Sequence, residues 1–117
     1  MPSRLLVARE LGEIFKVLAH PDRIRLIEEL REGEMDVNSL SETLELPSPR
    51  VSQHLSLLKL HRIVAERREG RHHFYHLVQP EFAAWIVEGL SFVEGRMTGI
   101  SESEIKIARE LWTAQTS

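Results

Sequence analysis

A tight turn at residues 45–49 constrains the fold of this chain more than any other feature. Its two prolines interrupt helical structure, whereas apolar residues recur at helical spacing on both sides of it. Ser48 is predicted to cap the helix after the turn, with Pro49 as its first residue, and Asp36 to cap a shorter helix before it. The pattern therefore predicts two short helices joined by a turn. Their inward positions are Val37, Leu40 and Leu44 in the first and Val51, Leu55 and Leu58 in the second.

The rest of the chain is predicted to add further helices and one β-hairpin. Residues 63–69 and 71–77 alternate in character around Glu69-Gly70, which is typical of a hairpin. Gly95 and Gly99 are expected to break the helical pattern near the C-terminus, and Ser101 with Glu104 forms a capping box after them. The additional helices are predicted over residues 3–19, 21–33, 80–93 and 101–112.

This order of elements is that of a winged helix-turn-helix: mainly α with a small β-hairpin wing, α-α-α-α-β-β-α, and an extra C-terminal helix. A chain of 117 residues has the length of one domain, so we predict a single domain over 1–117. Within it, 37–60 form the helix-turn-helix, 63–77 the wing, and 1–19 with 80–113 the dimerisation helices. No apolar run approaches the roughly 20 residues of a membrane helix, and no segment of signal-peptide type begins the chain; we therefore expect a cytoplasmic protein.

Charge is distributed unevenly along the sequence. Between Pro47 and His76, six basic and two acidic residues give a net charge of +4. The remaining nine basic and sixteen acidic residues give −7, so the formal net charge of −3 conceals a basic segment on an acidic body. Such asymmetry favours an anionic partner for the basic segment.

The chemistry of that segment points to double-stranded DNA. The polar face predicted for the helix after the turn suits the major groove, where Arg pairs with guanine and Gln with adenine. Its N-terminus suits a phosphate, and the arginines around the hairpin suit the neighbouring backbone or minor groove. The predicted DNA-binding residues are Ser48, Arg50, Ser52, Gln53, His54, Ser56, Lys59, Arg67, Arg68, Arg71 and His72.

Three segments in order resemble the ArsR/SmtB family of repressors. They are residues 14–26 (IFKVLAHPDRIRL), 46–55 (LPSPRVSQHL), and 63–77 with its Arg-Arg-Glu-Gly-Arg run and Tyr-His-Leu end. The resemblance implies a homodimer with the first and fifth helices at its interface, and repression relieved by an inducer. Glu45 stands where the family often has Gly; a positive φ at this position would cost Glu about 1 kcal/mol.

The sequence departs from the family at its metal sites. The chain contains no cysteine, and the positions that match the family's Cys-x-Cys pair read Asp36-Val37-Asn38. The carboxylate and histidine positions of the family's second site appear as Gln79, Glu81, Phe92 and Gly95. Among the histidines, His72 and His73 are expected on opposite faces of a strand, His54 to hydrogen-bond backbone or phosphate, and His20 to be structural. We therefore predict no metal and no other cofactor.

Apolar residues in the terminal helices exceed what one small domain can cover, and a second copy would bury them. The predicted dimer-interface residues are Leu5, Leu11, Phe15, Phe82, Trp85, Ile86, Phe92, Val93 and Trp112. The same aromatic residues are also compatible with a small-molecule effector pocket.

Two other functions stay open: a winged helix that binds protein rather than DNA, and a metal-responsive repressor with histidine or carboxylate ligands. The sequence has no cysteine nucleophile and no Gly-rich phosphate loop, and no Ser-His-acid triad or pair of catalytic carboxylates can be placed in a cleft. An enzyme is therefore not expected.

Overall fold

The computed structural model of the chain describes residues 2–94, 96 and 102–113. It divides into two compact units, Met1–Val78 and Gln79–Ser117. The prediction of one domain over the whole chain stays a prediction. The elements of the first unit are α1 (Pro2–Leu18), α2 (Pro21–Leu30), β1 (Met35–Asp36), α3 (Val37–Leu44), α4 (Ser48–Leu60), β2 (Val64–Glu69) and β3 (His72–Leu77). Those of the second are α5 (Glu81–Glu88), α6 (Leu90–Glu94) and α7 (Glu102–Thr113).

The core of the first unit lies between α2, α3, α4 and the first residue of β2. The side chains predicted to point inward from α4 are fully buried, as is Leu40 of α3, whereas Val37 is only half-buried. Burying each large aliphatic side chain contributes about 1.5–3 kcal/mol relative to leaving it exposed. The largest fully buried residues are Leu26, Ile27, Leu30, Leu40, Val51, Leu55, Leu58 and Val64.

The turn between α3 and α4 is held by backbone and side-chain hydrogen bonds. Glu45 ends α3 in the left-handed conformation, with φ 55° and ψ 46°, at the position where a positive φ was considered. The Leu46 amide donates to the Ser41 carbonyl (3.1 Å), and the Ser41 hydroxyl donates back to the Leu46 carbonyl (2.5 Å). Arg25 of α2 donates to the Leu44 carbonyl (3.2 Å). These bonds fix the angle at which α4 leaves α3.

Of the two helix caps predicted on either side of the turn, one is confirmed and the other is wrong. The Asp36 carboxylate accepts a hydrogen bond from the Ser39 amide (2.9 Å), as expected of an N-cap. Ser48, in contrast, is the first residue of α4 rather than its cap. Pro47 occupies the cap position and offers no side-chain hydrogen bond. The shift by one residue arises because Pro47, with φ −59° and ψ 138°, already supplies the extended backbone of an N-cap residue.

The predicted hairpin is present, but it belongs to a three-stranded sheet. Strands β2 and β3 pair antiparallel, and the short strand β1 pairs with the other edge of β3, with Met35 opposite Tyr75. Glu69 pairs with His72, so the two turn residues are Gly70 and Arg71 rather than Glu69 and Gly70. Gly70 has φ 62°, a conformation that L-residues with a side chain rarely adopt. The mainly helical winged helix-turn-helix fold is thus confirmed.

The second unit differs from the single helix predicted over residues 80–93. Helix α5 ends at Glu88, because the Gly89 amide donates a hydrogen bond to the Ile86 carbonyl (2.9 Å) and so forms a tighter turn. Helix α6 then starts at Leu90. Helix α7 begins at Glu102, close to the predicted start. The predicted breaks at Gly95 and Gly99 and the cap at Ser101 lie outside the described residues. Within the described ranges, no helix is both long and apolar enough to cross a membrane.

Candidate nucleic-acid interface

The outward face of α4 carries the polar side chains predicted to read DNA. Arg50, Gln53 and Ser56 are exposed, while Ser48 and Ser52 are half-buried. In the part of the chain that is described, the side chains of Arg50 and Gln53 make no hydrogen bond or ion pair with another residue. Because Val51, Leu55 and Leu58 hold the opposite face in the core, these groups are presented to solvent by a well-anchored helix.

His54 does not belong to that face, and its prediction as a DNA contact is wrong. It is only 9% exposed and packs with the core residues of α4. Its Nδ1 accepts a hydrogen bond from Arg23 Nε (3.2 Å), and its Nε2 lies 3.7 Å from Asp22 Oδ2. The physical reason is helical geometry: position 54 follows position 51 by three residues and so shares its buried stripe. Burial, followed by the charges of His20 and Arg23, lowers the pKa of His54 below its ordinary value.

Arg23 connects three helices through this contact. Besides His54 in α4, it donates from Nη1 to the Val17 carbonyl near the end of α1 (3.0 Å), while its own backbone lies in α2. His20 caps α2, because its Nδ1 accepts a hydrogen bond from the Asp22 amide (3.1 Å). A structural role was predicted for His20, whereas no pattern in the sequence singles out Arg23. The orientation of α4 is therefore tied to α1 and α2 by a polar contact as well as by the apolar core.

The three wing arginines differ in their surroundings. Arg67 donates from Nε and Nη2 to the Glu34 carboxylate, at distances of 2.6–3.2 Å, and from Nη1 to Glu69 (2.9 Å). Its guanidinium carbon also lies 4.8 Å from the centre of the Phe74 ring. The side chains of Arg68 and Arg71, in contrast, are exposed and make no hydrogen bond or ion pair with any described residue. Only these two of the three arginines have their full charge available to a partner.

A hydrogen-bonded cluster around Glu66 joins the wing to the end of α4. The Glu66 carboxylate lies 3.1 Å from Lys59 Nζ and 2.7 Å from His73 Nδ1, and it accepts a hydrogen bond from the Tyr75 hydroxyl (3.0 Å). Hydrogen bonds from His73 and Lys59 lower the pKa of Glu66 to about 2. Burial, then the bond to Glu66, raises the pKa of Tyr75 to about 12. Lys59, predicted to bind DNA, is thus already paired with a carboxylate.

Asp36, Val37 and Asn38, which stand at the family's Cys-x-Cys positions, line an open cleft of about 370 Å³. The cleft lies between the start of α3, Ser52 and the wing. Hydrogen bonds from Ser39 lower the pKa of Asp36, whose carboxylate serves as the cap of α3. Asn38 contributes an amide. The cleft therefore offers oxygen and imidazole donors in place of sulfur.

The predicted interface residues of the terminal helices are largely exposed. In α1, Leu5 is 56% and Phe15 54% exposed, and in α6 Phe92 is 81% exposed. Leu11, Trp85 and Val93 are also exposed, whereas Phe82, Ile86 and Trp112 are half-buried.

Comparisons with known proteins agree with this geometry. The family described as "Bacterial regulatory protein, arsR family" matches residues 20–66. The chain is 35% identical over 88 residues to the HTH-type transcriptional regulator KmtR of Mycobacterium tuberculosis, covering 75% of this chain and 68% of KmtR. It is 36% identical over 80 residues to the HTH-type transcriptional repressor SmtB of the same species, covering 68% of this chain but only 59% of SmtB.

A solved structure extends the similarity to the fold. The crystal structure of the transcriptional repressor BigR from Xylella fastidiosa superimposes with a TM-score of 0.68 at 30% identity, covering 78% of this chain and 93% of BigR. The predicted family is thereby confirmed, and with it a regulatory rather than an enzymatic protein. This chain belongs to the ArsR family of winged helix-turn-helix transcriptional regulators.

Proposed function

We propose that this chain is a homodimeric repressor that binds a specific operator, with α4 in the major groove and the wing against the neighbouring backbone. The observation that carries the proposal is the pair Arg50 and Gln53: both are exposed and unpaired among the described residues, on a helix whose other face is fully buried. Bidentate Arg–guanine and Gln–adenine contacts are the usual means of reading base edges there.

Contacts to the DNA backbone would come from the wing and from the start of α4. Arg68 and Arg71 have charges that no described carboxylate offsets, and exposed His72 lies beside the turn. At the N-terminus of α4, half-buried Ser48 offers its amide and hydroxyl at the positive end of the helix dipole, whereas the Arg50 and Val51 amides already bond the Pro47 carbonyl (3.0 and 3.1 Å). These groups position the protein on the duplex, whereas base contacts provide specificity.

A second copy of the chain is the partner that fits the exposed apolar residues of α1 and α6. Leu5, Leu11 and Phe15 place large apolar side chains on α1, and Phe92 does so on α6. A symmetric pair of recognition helices would read two half-sites about 34 Å apart on an imperfect palindrome. Repression is supported by the relatives, since SmtB and BigR are both described as transcriptional repressors.

The test begins with selection of binding sites from a random duplex library, followed by fluorescence-anisotropy titration of the selected site and single-base variants. Arg50→Ala and Gln53→Ala should each weaken the selected site by about 1–3 kcal/mol per lost base contact. Each should also reduce discrimination at only the base pairs that it reads. Lys106→Ala, which removes one exposed charge from α7, is the matched control and should leave the ranking of sites unchanged.

Two results would contradict the proposal. The first is a selection that yields no preferred sequence. The second is a ranking of sites that stays the same in Arg50→Ala and Gln53→Ala as in the control. Either would favour a winged helix that binds a protein partner.

A further inference from the structure

A cluster of potential metal ligands lies behind the recognition helix, away from the groups assigned to DNA. Within the described ranges, one group of histidine and acidic residues has the spacing of a metal site: His20, Asp22 and His54. One donor atom of each lies within 4.8 Å of the other two. His20 and Asp22 come from the start of α2 and His54 from α4, so the site exists only in the folded chain.

The donor atoms of the cluster lie close to the separations that a bound metal ion requires. The His20 and His54 rings have centroids 4.5 Å apart, and His54 Nε2 lies 3.7 Å from Asp22 Oδ2. Metal bonds of about 2.0–2.2 Å at tetrahedral angles place ligand atoms about 3.3 Å apart, so the donors must approach one another by up to about 1.5 Å. The Asp22 and His54 side chains are 17% and 11% exposed.

We propose that His20, Asp22 and His54 bind one divalent transition-metal ion of borderline softness, such as Zn²⁺, Co²⁺ or Ni²⁺. Two imidazoles and one carboxylate suit such ions, and three protein ligands leave a position open to water. An ion held here would connect the recognition helix directly to the start of α2.

Binding has to compete with the hydrogen bonds already present. His54 Nδ1 accepts from Arg23, so the neutral ring carries its proton on Nε2, the nitrogen that faces Asp22. Coordination by Nε2 moves that proton to Nδ1 and breaks the Arg23 bond, while Arg23 retains its bond to the Val17 carbonyl. Arg25, 3.9 Å from Asp22 Oδ1, and Arg50 of α4 add positive charge nearby. These cations oppose the ion and lower its affinity.

The experiment measures metal binding without DNA, so its outcome is independent of the proposed operator binding. The full-length protein is stripped with a chelator and titrated with Co²⁺ and then Zn²⁺, by calorimetry and by the visible absorption of bound Co²⁺. Two variants remove one ligand each. Asp22→Asn keeps the side-chain size, and His20→Asn replaces the helix cap with a residue that caps equally well. The double variant His72→Ala/His76→Ala removes wing histidines as a control.

We expect one Co²⁺ ion per protomer, displaced by Zn²⁺. Both single variants should bind at least about tenfold more weakly, since loss even of supporting groups costs 10–100-fold. The wing variant should bind like the unaltered protein. Three results would each overturn the proposal: no saturable binding, undiminished affinity in both Asp22→Asn and His20→Asn, or loss of binding in the wing variant.

Discussion

The difference between Arg71 and Arg67 gives a quantitative prediction about DNA binding. Each phosphate that a cationic side chain neutralises on duplex DNA contributes about 0.9 to the slope of log K against log salt concentration. Arg71 lies in the two-residue wing turn and has no described partner, so Arg71→Ala should flatten the slope by about 0.9 per wing, or about 1.8 per dimer. Between 50 and 200 mM salt, a change of 1.8 in the slope corresponds to about a 12-fold difference in affinity.

Arg67→Ala is the matched comparison, because it removes the same side chain from the same hairpin. Arg67 is already neutralised by Glu34 and Glu69, so little of its charge is available to a phosphate. Its loss should change the slope by less than half as much as Arg71→Ala. The assay is anisotropy titration of the operator, for both variants and the unaltered protein, at four or more salt concentrations. Equal flattening by the two variants would refute this account of the wing.

Four other predictions follow from particular residues. Sedimentation at micromolar concentration should give about 27 kDa, twice the 13.5 kDa of the chain; a monomer would contradict the proposed dimer. Operator affinity should not respond to arsenite, cadmium or peroxide, since these act through thiolates and the sequence contains no cysteine; a tenfold loss in an anisotropy titration would overturn that reasoning. Glu45→Gly should raise the free energy of unfolding in urea by about 0.5–1 kcal/mol, because φ at Glu45 is 55°. Glu42→Gly, within α3, should instead lower it by about 1 kcal/mol, and the same sign for both would contradict the role of φ. Finally, the pKa of Glu66 falls from 4.5 to about 2 on folding, so its stabilisation is complete above pH 4.5 and is lost as the pH falls toward 2. Glu66→Gln should therefore flatten the decline of stability over that range; an unchanged acid limb would show that the cluster contributes nothing.

The parts of the fold that the sequence predicts are those with a local signal. Helical spacing located α1 and the inward face of α4, and the alternating hairpin located β2 and β3. Strand β1 has only two residues, which is too short for a periodic pattern in the sequence. Its pairing with β3 depends on residues about 40 positions later in the chain. The end of α5 at Glu88 depends on the particular hydrogen bond of the Gly89 amide, whereas the apolar spacing continues past it.

The sequence predicts those site residues whose exposure follows from the local helical pattern. It does not predict those whose surroundings depend on tertiary contacts. Exposure of Arg50 and Gln53 follows from the helical pattern alone. In contrast, His54 shares the buried stripe of Val51, but it is polar, and the partner that satisfies it, Arg23, lies 31 residues earlier and has no signal in the sequence. The pairing of Arg67 with Glu34 spans 33 residues and has no signature in the sequence. Long-range pairs of this kind decide which charges of a basic segment are available.

These ion pairs determine which side chains carry the net positive charge of the segment from Pro47 to His76. Lys59 is offset by Glu66, and Arg67 by Glu69, so the formal +4 is carried by four arginines whose side chains have no partner among the described residues. If every one of them met a phosphate, a dimer would make eight contacts from this segment, and the salt slope from these side chains would be about 7. Glu34, from outside the segment, further reduces the positive charge near the wing. Since the rest of the chain carries −7, the proposed operator complex should form through the basic segment, because the acidic remainder repels the duplex. The four unpaired residues are Arg50, Arg62, Arg68 and Arg71.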